Sequence, residues 1–219
     1  SQAGSFSQSV CHVSSIIMLV PGLGITVAMT ELSTRHLVSG TARLAGSFEV
    51  LLQLGFGLGM GTYWGHRLFG IFPEKLSGHL PSWAFWLALL AVSCALLVLF
   101  HARPKDIGWL IIAGLIATAG SKLGTFAMGP QLGPFLGALC LGLSSNLFAR
   151  VIKRPAAIIL LPGIILLVPG SIGLSSVSAM LNKNTLIGLE TAFTTAMVAI
   201  SLVFGLLVAS LILPPRRSL

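Results

Sequence analysis

The stretch Ile16-Ile17-Met18-Leu19-Val20-Pro21-Gly22 returns almost unchanged as Ile164-Ile165-Leu166-Leu167-Val168-Pro169-Gly170. Six of the seven positions are identical, and the offset of 148 residues continues without a gap. Gly40 falls on Gly188, Val50 on Val198 and Leu54 on Leu202, and Phe56-Gly57-Leu58 falls on Phe204-Gly205-Leu206. Apolar windows share Leu, Ile and Val through composition alone. They share a Pro-Gly break, a later Gly and a Phe-Gly-Leu triplet far less readily. The stretch therefore belongs to an internal repeat, a duplicated two-span unit.

Composition says what kind of unit is duplicated. The chain has 219 residues, of which 55% are hydrophobic and 8% charged, with a mean hydropathy of +0.97. A soluble domain carries about 25% charged residues. So few charges cannot cover a globular surface, and the chain reads as an integral membrane protein. Its net charge of +8 does not mark a nucleic-acid partner. The basic residues sit at span ends and in short loops, where membrane orientation accounts for them. Cys11, Cys94 and Cys140 lie in apolar stretches without ligand spacing, as small buried residues do. The histidines are scattered and Asp106 is the single Asp. A metal-assisted enzyme needs clustered acids, so the chain reads as no enzyme, with no metal and no cofactor.

A span takes about 20 mostly apolar residues. Seven stretches qualify, at 7–32, 37–64, 83–100, 107–126, 131–152, 155–181 and 185–213. The sixth carries two expected breaks, at Pro162-Gly163 and Pro169-Gly170. Backbone groups in lipid must be paired within the segment, and no period-2 alternation suggests a barrel, so every span is helical. The expected fold is all-α and polytopic, with Pro-Gly-broken helices. Residues 1–64 form the last two spans of a first repeat, 65–82 a connector, 83–213 a five-span second repeat and 214–219 a basic tail. Glycines recur at helical spacing, as in Gly120 with Gly124 and Gly133 with Gly137, which lets helix backbones approach closely.

Parity and charge give orientation. Arg35, Arg103, Lys105, Arg150, Lys153, Arg154, Arg216 and Arg217 fall on one side, and Arg67, Lys75, Lys122 and Lys183 on the other. The positive-inside rule puts the richer side, with the C-terminus, in the cytoplasm. Five spans separate equivalent points of the two copies, so the copies face opposite ways. Inverted repeats with interrupted helices recur in secondary transporters.

The candidate site follows from the breaks. A helix that restarts after Pro21-Gly22 or Pro169-Gly170 presents free N–H groups suited to a carboxylate. In the second span lie Arg43, Glu49 and Gln53. Glu49 and Gln53, four apart, share a helix face with Gly46 and Gly57. Glu49 sits about 18 Å along the helix, near mid-membrane, where an ionisable residue is a functional candidate by default. Arg43 does not share that face and can snorkel to the surface. Pro21, Gly22, Arg43, Glu49, Gln53, Pro169 and Gly170 are thus the expected substrate-binding residues, with Glu49 gaining and losing a proton. Lys122, Asn146 and Glu190 are weaker candidates.

The stretch LVPGLGITVAMTELSTRHLVSGTARLAGSFEVLLQLGFGLGMG resembles the end of the N-terminal module of the threonine/serine exporter family. Residues 83–213, with RPAAIILLPGIILLVPGSIGLSSVSAML, resemble its C-terminal five-span module. The resemblance implies export of threonine and serine, or of dicarboxylates in two-subunit members, from an inner membrane. It also implies ten spans in two halves, of which this chain supplies two plus five. The expected partners are therefore membrane lipid, a small amino acid or dicarboxylate, and missing N-terminal spans or a second subunit. A membrane scaffold subunit is the alternative reading.

Overall fold

The computed structural model describes residues 21–33, 35–69, 82–99, 103–168, 170–181 and 184–214. Among these there is no strand. The helices are α1 (Gly22–Ser33), α2 (Leu37–Phe69), α3 (Ser82–Leu99), α4 (Ile107–Met128), α5 (Gly133–Val151), α6 (Ala157–Leu167), α7 (Gly170–Leu181) and α8 (Thr185–Ile212), with a 3-10 turn at Pro104–Asp106 before α4. Leu37–Gly65, Ile107–Met128, Gly133–Val151, Ala157–Val177 and Thr185–Ile212 are long and apolar enough to cross a membrane. Trp86–Leu99 is a shorter apolar helix. The architecture is that of an all-α polytopic membrane protein. The beginning of the expected first span, through Val20, and Pro169 lie outside the described residues.

The repeat is written into the helix boundaries. α1 and α7 are each 12 residues long, and both begin at the Gly of a Pro-Gly pair. Their ends, and the starts of α2 and α8, all differ by the same 148 residues. The hairpin turns repeat at the level of single bonds. The His36 N–H donates to the Glu31 carbonyl at 2.8 Å, and Asn184 N–H to the Ala179 carbonyl at 3.0 Å. Gly40 N–H then donates to the His36 carbonyl, as Gly188 N–H does to that of Asn184. Gly40 packs against Leu32, and Gly188 against Met180, the residue 148 further on.

Two expectations need correction. Pro162 does not break the sixth span: α6 runs through it from Ala157 to Leu167. Pro162 is the sixth of the eleven residues of α6 and forfeits one intrahelical bond there, and Gly163 lets Leu141 of α5 close against that turn. The chain leaves helical geometry further on, at Val168, whose ψ of 130° is extended. Likewise α2 continues to Phe69, so that Gly65–Phe69 is helix where a connector was expected.

By contacts the chain forms two compact units, one of residues 1–80 with 169–196 and the other of 81–168 with 197–219. The first holds α1, α2, α7 and the start of α8, the equivalent hairpins of both copies. The second packs α4, α5 and α6 about Ala113, Ala117, Ala138, Leu141, Ile159 and Phe148. The α4–α5 seam is backbone on backbone, as the glycine spacing predicts. A Cβ on Gly120 would lie 3.0 Å from Gly137 Cα, and one on Gly137 would lie 2.9 Å from the Ala117 carbonyl. One end of this unit gathers charge. The Arg154 guanidinium makes a two-pronged ion pair with the buried Asp106 carboxylate, Nη2 reaching Oδ2 at 3.1 Å. Asn146 Nδ2 and Arg150 Nη2 donate to the Leu213 and Pro214 carbonyls at 2.8 and 2.7 Å, capping the end of α8. Asn146 therefore has a structural role.

Candidate functional site

Both restarted helices belong to the first unit. The Ile25 N–H donates to the Pro21 carbonyl at 3.0 Å and closes the first turn of α1. In a helix that opens this way, the amides before Ile25 have no intrahelical acceptor. Gly22 and Gly170, the opening residues of α1 and α7, are buried. A Pro-Gly pair suits this position because Pro supplies no donor and Gly leaves room over the exposed amides.

The first turns of α1 and α7 meet adjacent turns of one helix. Gly24 packs against the Ser47 side chain of α2. A Cβ on Gly173 would lie 3.7 Å from Leu51 of α2 and 3.5 Å from Thr195 Cγ2 of α8. Ser47 and Leu51 are four apart, so they share a face of α2. Each half-helix start thus abuts the Ser47–Leu51 stretch. Four hydroxyls of these helices, Thr26, Ser47, Ser176 and Thr195, are each nearly inaccessible. Thr26 donates to the Gly22 carbonyl at 3.2 Å, Ser176 to Gly173 at 2.6 Å and Thr195 to Thr191 at 2.8 Å. Sequence reading passed over these hydroxyls. One signal for them was present, since the 148 offset sets Ser47 on Thr195.

The expected site residues divide into two groups. Pro21, Gly22 and Gly170 belong to the half-helix starts, and Pro169 lies outside the described residues. Glu49 and Gln53 do not join them. Two residues on from Ser47 is about 200° around the helix, and both side chains are exposed. They bond to each other instead, Gln53 Nε2 donating to Glu49 Oε1 at 3.1 Å. Arg43 turns elsewhere again, as its spacing from Glu49 predicts. It crosses the α1–α2 hairpin to Glu31 with Nη2–Oε1 at 3.2 Å. Glu31 was not singled out in the sequence, because the pairing depends on how the hairpin folds back. Glu190 is exposed, and its main-chain carbonyl accepts the Thr194 hydroxyl at 2.9 Å. Lys122 is exposed on α4.

Helices that begin at Pro-Gly pairs and pack on adjacent turns of one helix, in a duplicated membrane fold, recur among transporters. Comparison with known families agrees. The family model Threonine/Serine exporter, ThrE, matches residues 84–212, and a second threonine/serine exporter model matches residues 2–64. The chain belongs to the threonine/serine exporter family. No curated protein and no solved structure matches it.

Proposed function

We propose that this chain exports small hydroxy amino acids, threonine and serine, across an inner membrane, with its C-terminus in the cytoplasm. The observation that carries the reading is the packing of two Pro-Gly helix starts on Ser47 and Leu51, with the Ser47 and Thr195 hydroxyls buried beside them. A substrate carboxylate meets main-chain N–H groups there, favoured by the positive end of a helix dipole. The side-chain hydroxyl of threonine or serine meets hydroxyls that both donate and accept. Glu49, on the far side of the same stretch of α2, is the proposed proton partner. Its place on the face of α2 turned away from Ser47 separates the coupling proton from the substrate. Movement of one repeat against the other alternates access.

The test is efflux from cells producing the native protein, preloaded with labelled threonine, serine or succinate. Threonine and serine should leave faster than from cells lacking the gene, and succinate should not. Export of succinate alone would move the substrate class to dicarboxylates. Glu49→Gln should keep the fold, since the two side chains are nearly isosteric, and abolish the pH dependence of efflux. Unchanged pH dependence would remove Glu49 from the proposal.

A further inference from the structure

Four positions of α2 that meet α1 or α7 lie three or four residues apart and so form one stripe. Gly40 packs on Leu32, Ser47 on Gly24 and Leu51 beside Gly173. Beside the half-helix starts the stripe carries the Ser47 hydroxyl. One turn nearer the hairpin it carries Arg43, whose Nε and Nη2 both donate to Glu31 Oε1 at 3.2 Å. Of the four positions, Arg43 alone is charged.

The Arg43–Glu31 pair is not what folds the hairpin. At the offset of 148, Ala179 stands for Glu31 and Thr191 for Arg43. The second hairpin has the same helix boundaries and the same turn bonds with neither charge in place. Nor is the pair built like the one in the second unit. Arg154 meets Asp106 with two nitrogens on two oxygens, the parallel fork in which arginine and carboxylate bind most strongly. Arg43 gives two nitrogens to one oxygen, so another carboxylate displaces this partner more readily. Arg43 and Ser47 are four residues apart, about 6 Å along the helix, within the length of an arginine side chain.

We propose that Arg43 is the charged arm of the carboxylate site and that Glu31 holds it in reserve. A substrate carboxylate arriving at Ser47 and the start of α1 takes the guanidinium from Glu31. One carboxylate replaces another, so the guanidinium keeps a charged partner throughout. When the substrate leaves, Glu31 takes the arm back. Glu31 is thus a positioning residue that acts through Arg43 and weakens substrate binding by competing for it. The second copy, with Thr191 in place of Arg43, has no such arm. The inference rests on the carboxylate site proposed above and not on which carboxylate the chain exports.

Initial rates of efflux over a series of internal threonine concentrations, taken per molecule of protein in the membrane, test it. Threonine, serine and succinate share the carboxylate, so the variants are read with whichever of them the native chain exports. Arg43→Gln should raise KM about tenfold, through loss of a charge-assisted hydrogen bond. Glu31→Gln should lower KM about threefold, because the arm no longer starts on a competitor. Glu31→Ala, which copies the second hairpin, should shift KM the same way. Added to Arg43→Gln, the Glu31→Gln change should move KM no further. Glu31→Arg with Arg43→Glu restores an ion pair across the hairpin but turns an acid toward the substrate, so its KM should be at least that of Arg43→Gln. A native KM in that exchanged pair, or a KM at or above native in both Glu31→Gln and Glu31→Ala, would make the pair a clasp of the hairpin and overturn the inference. Export of succinate in place of threonine, with the same KM shifts, would overturn the choice of substrate and uphold the arm.

Discussion

At the scale of single residues, hydroxyls rather than charges mark the inner side of α2. Ser47 and Thr195 occupy equivalent positions in the two copies, and both are buried beside the first turn of a half-helix. A hydroxyl in a membrane helix can satisfy itself on the carbonyl one turn back, as Thr195 does on Thr191. Its presence in a span is therefore weak evidence of a site until a neighbour is known. Glu49 drew attention for the opposite reason, because a mid-span carboxylate is conspicuous in any sequence. Nothing in local spacing says which side of the helix faces its own chain. If Ser47 bonds the substrate, Ser47→Ala loses one hydrogen bond of about 1 kcal/mol, and the KM for threonine efflux rises about fivefold. Thr195→Val should do the same, and the two together more. An unchanged KM in both variants, at normal expression, would place the substrate elsewhere.

At the scale of elements, the repeat was legible to the residue. The Pro-Gly pairs and the Gly40–Gly188 match predict two hairpins of equal length, and the helices deliver them with identical offsets. The reason is physical: a Pro-Gly pair fixes a helix start, and a close glycine fixes where the next helix folds back. Pro162-Gly163 carries the same letters and breaks nothing. A proline inside a helix forfeits one hydrogen bond, and whether its helix stops there is decided by what packs beside it. Each hairpin should then depend on its glycine. A Cβ at Gly40 would lie 2.8 Å from Leu32 Cγ and 3.1 Å from the Leu32 backbone nitrogen. At Gly188 it would lie 3.0 Å from the Ser176 carbonyl and 3.1 Å from the Met180 nitrogen. Backbone atoms cannot step aside as a flexible side chain can. Gly40→Ala and Gly188→Ala should each destabilise the purified protein by about 1–3 kcal/mol, the usual range for overpacking. Gly46→Ala, with open space about it, should be neutral or mildly stabilising. Thermal unfolding in detergent compares the three.

At the scale of the whole molecule, the repeat and the charges lead to one topological claim. In the second unit the start of α4, the α5–α6 junction and the end of α8 lie at one end, tied together by Arg154–Asp106 and Arg150–Pro214. Arg103, Lys105, Arg150, Lys153 and Arg154 belong to these junctions, and Arg216 and Arg217 follow the end of α8 in sequence. In the proposed orientation, which follows the positive-inside rule, this is the cytoplasmic end. α8 has 28 residues, about 42 Å of helix at the usual rise, more than a bilayer core of about 30 Å. The same proposal puts the turn at Asn184 on the outer side. Its counterpart at His36, alike bond for bond, follows Arg35, and span parity in that proposal puts it on the inner side. One cysteine at each position, in a protein whose own cysteines are replaced, isolates orientation from local structure, since the two turns share one geometry. A membrane-impermeant maleimide added to intact cells should label Asn184→Cys and leave His36→Cys unlabelled until the membrane is opened. Labelling of both from outside would make the two hairpins parallel and end the inverted-repeat reading. Labelling of His36→Cys alone would keep the inversion and reverse the orientation assigned from charge.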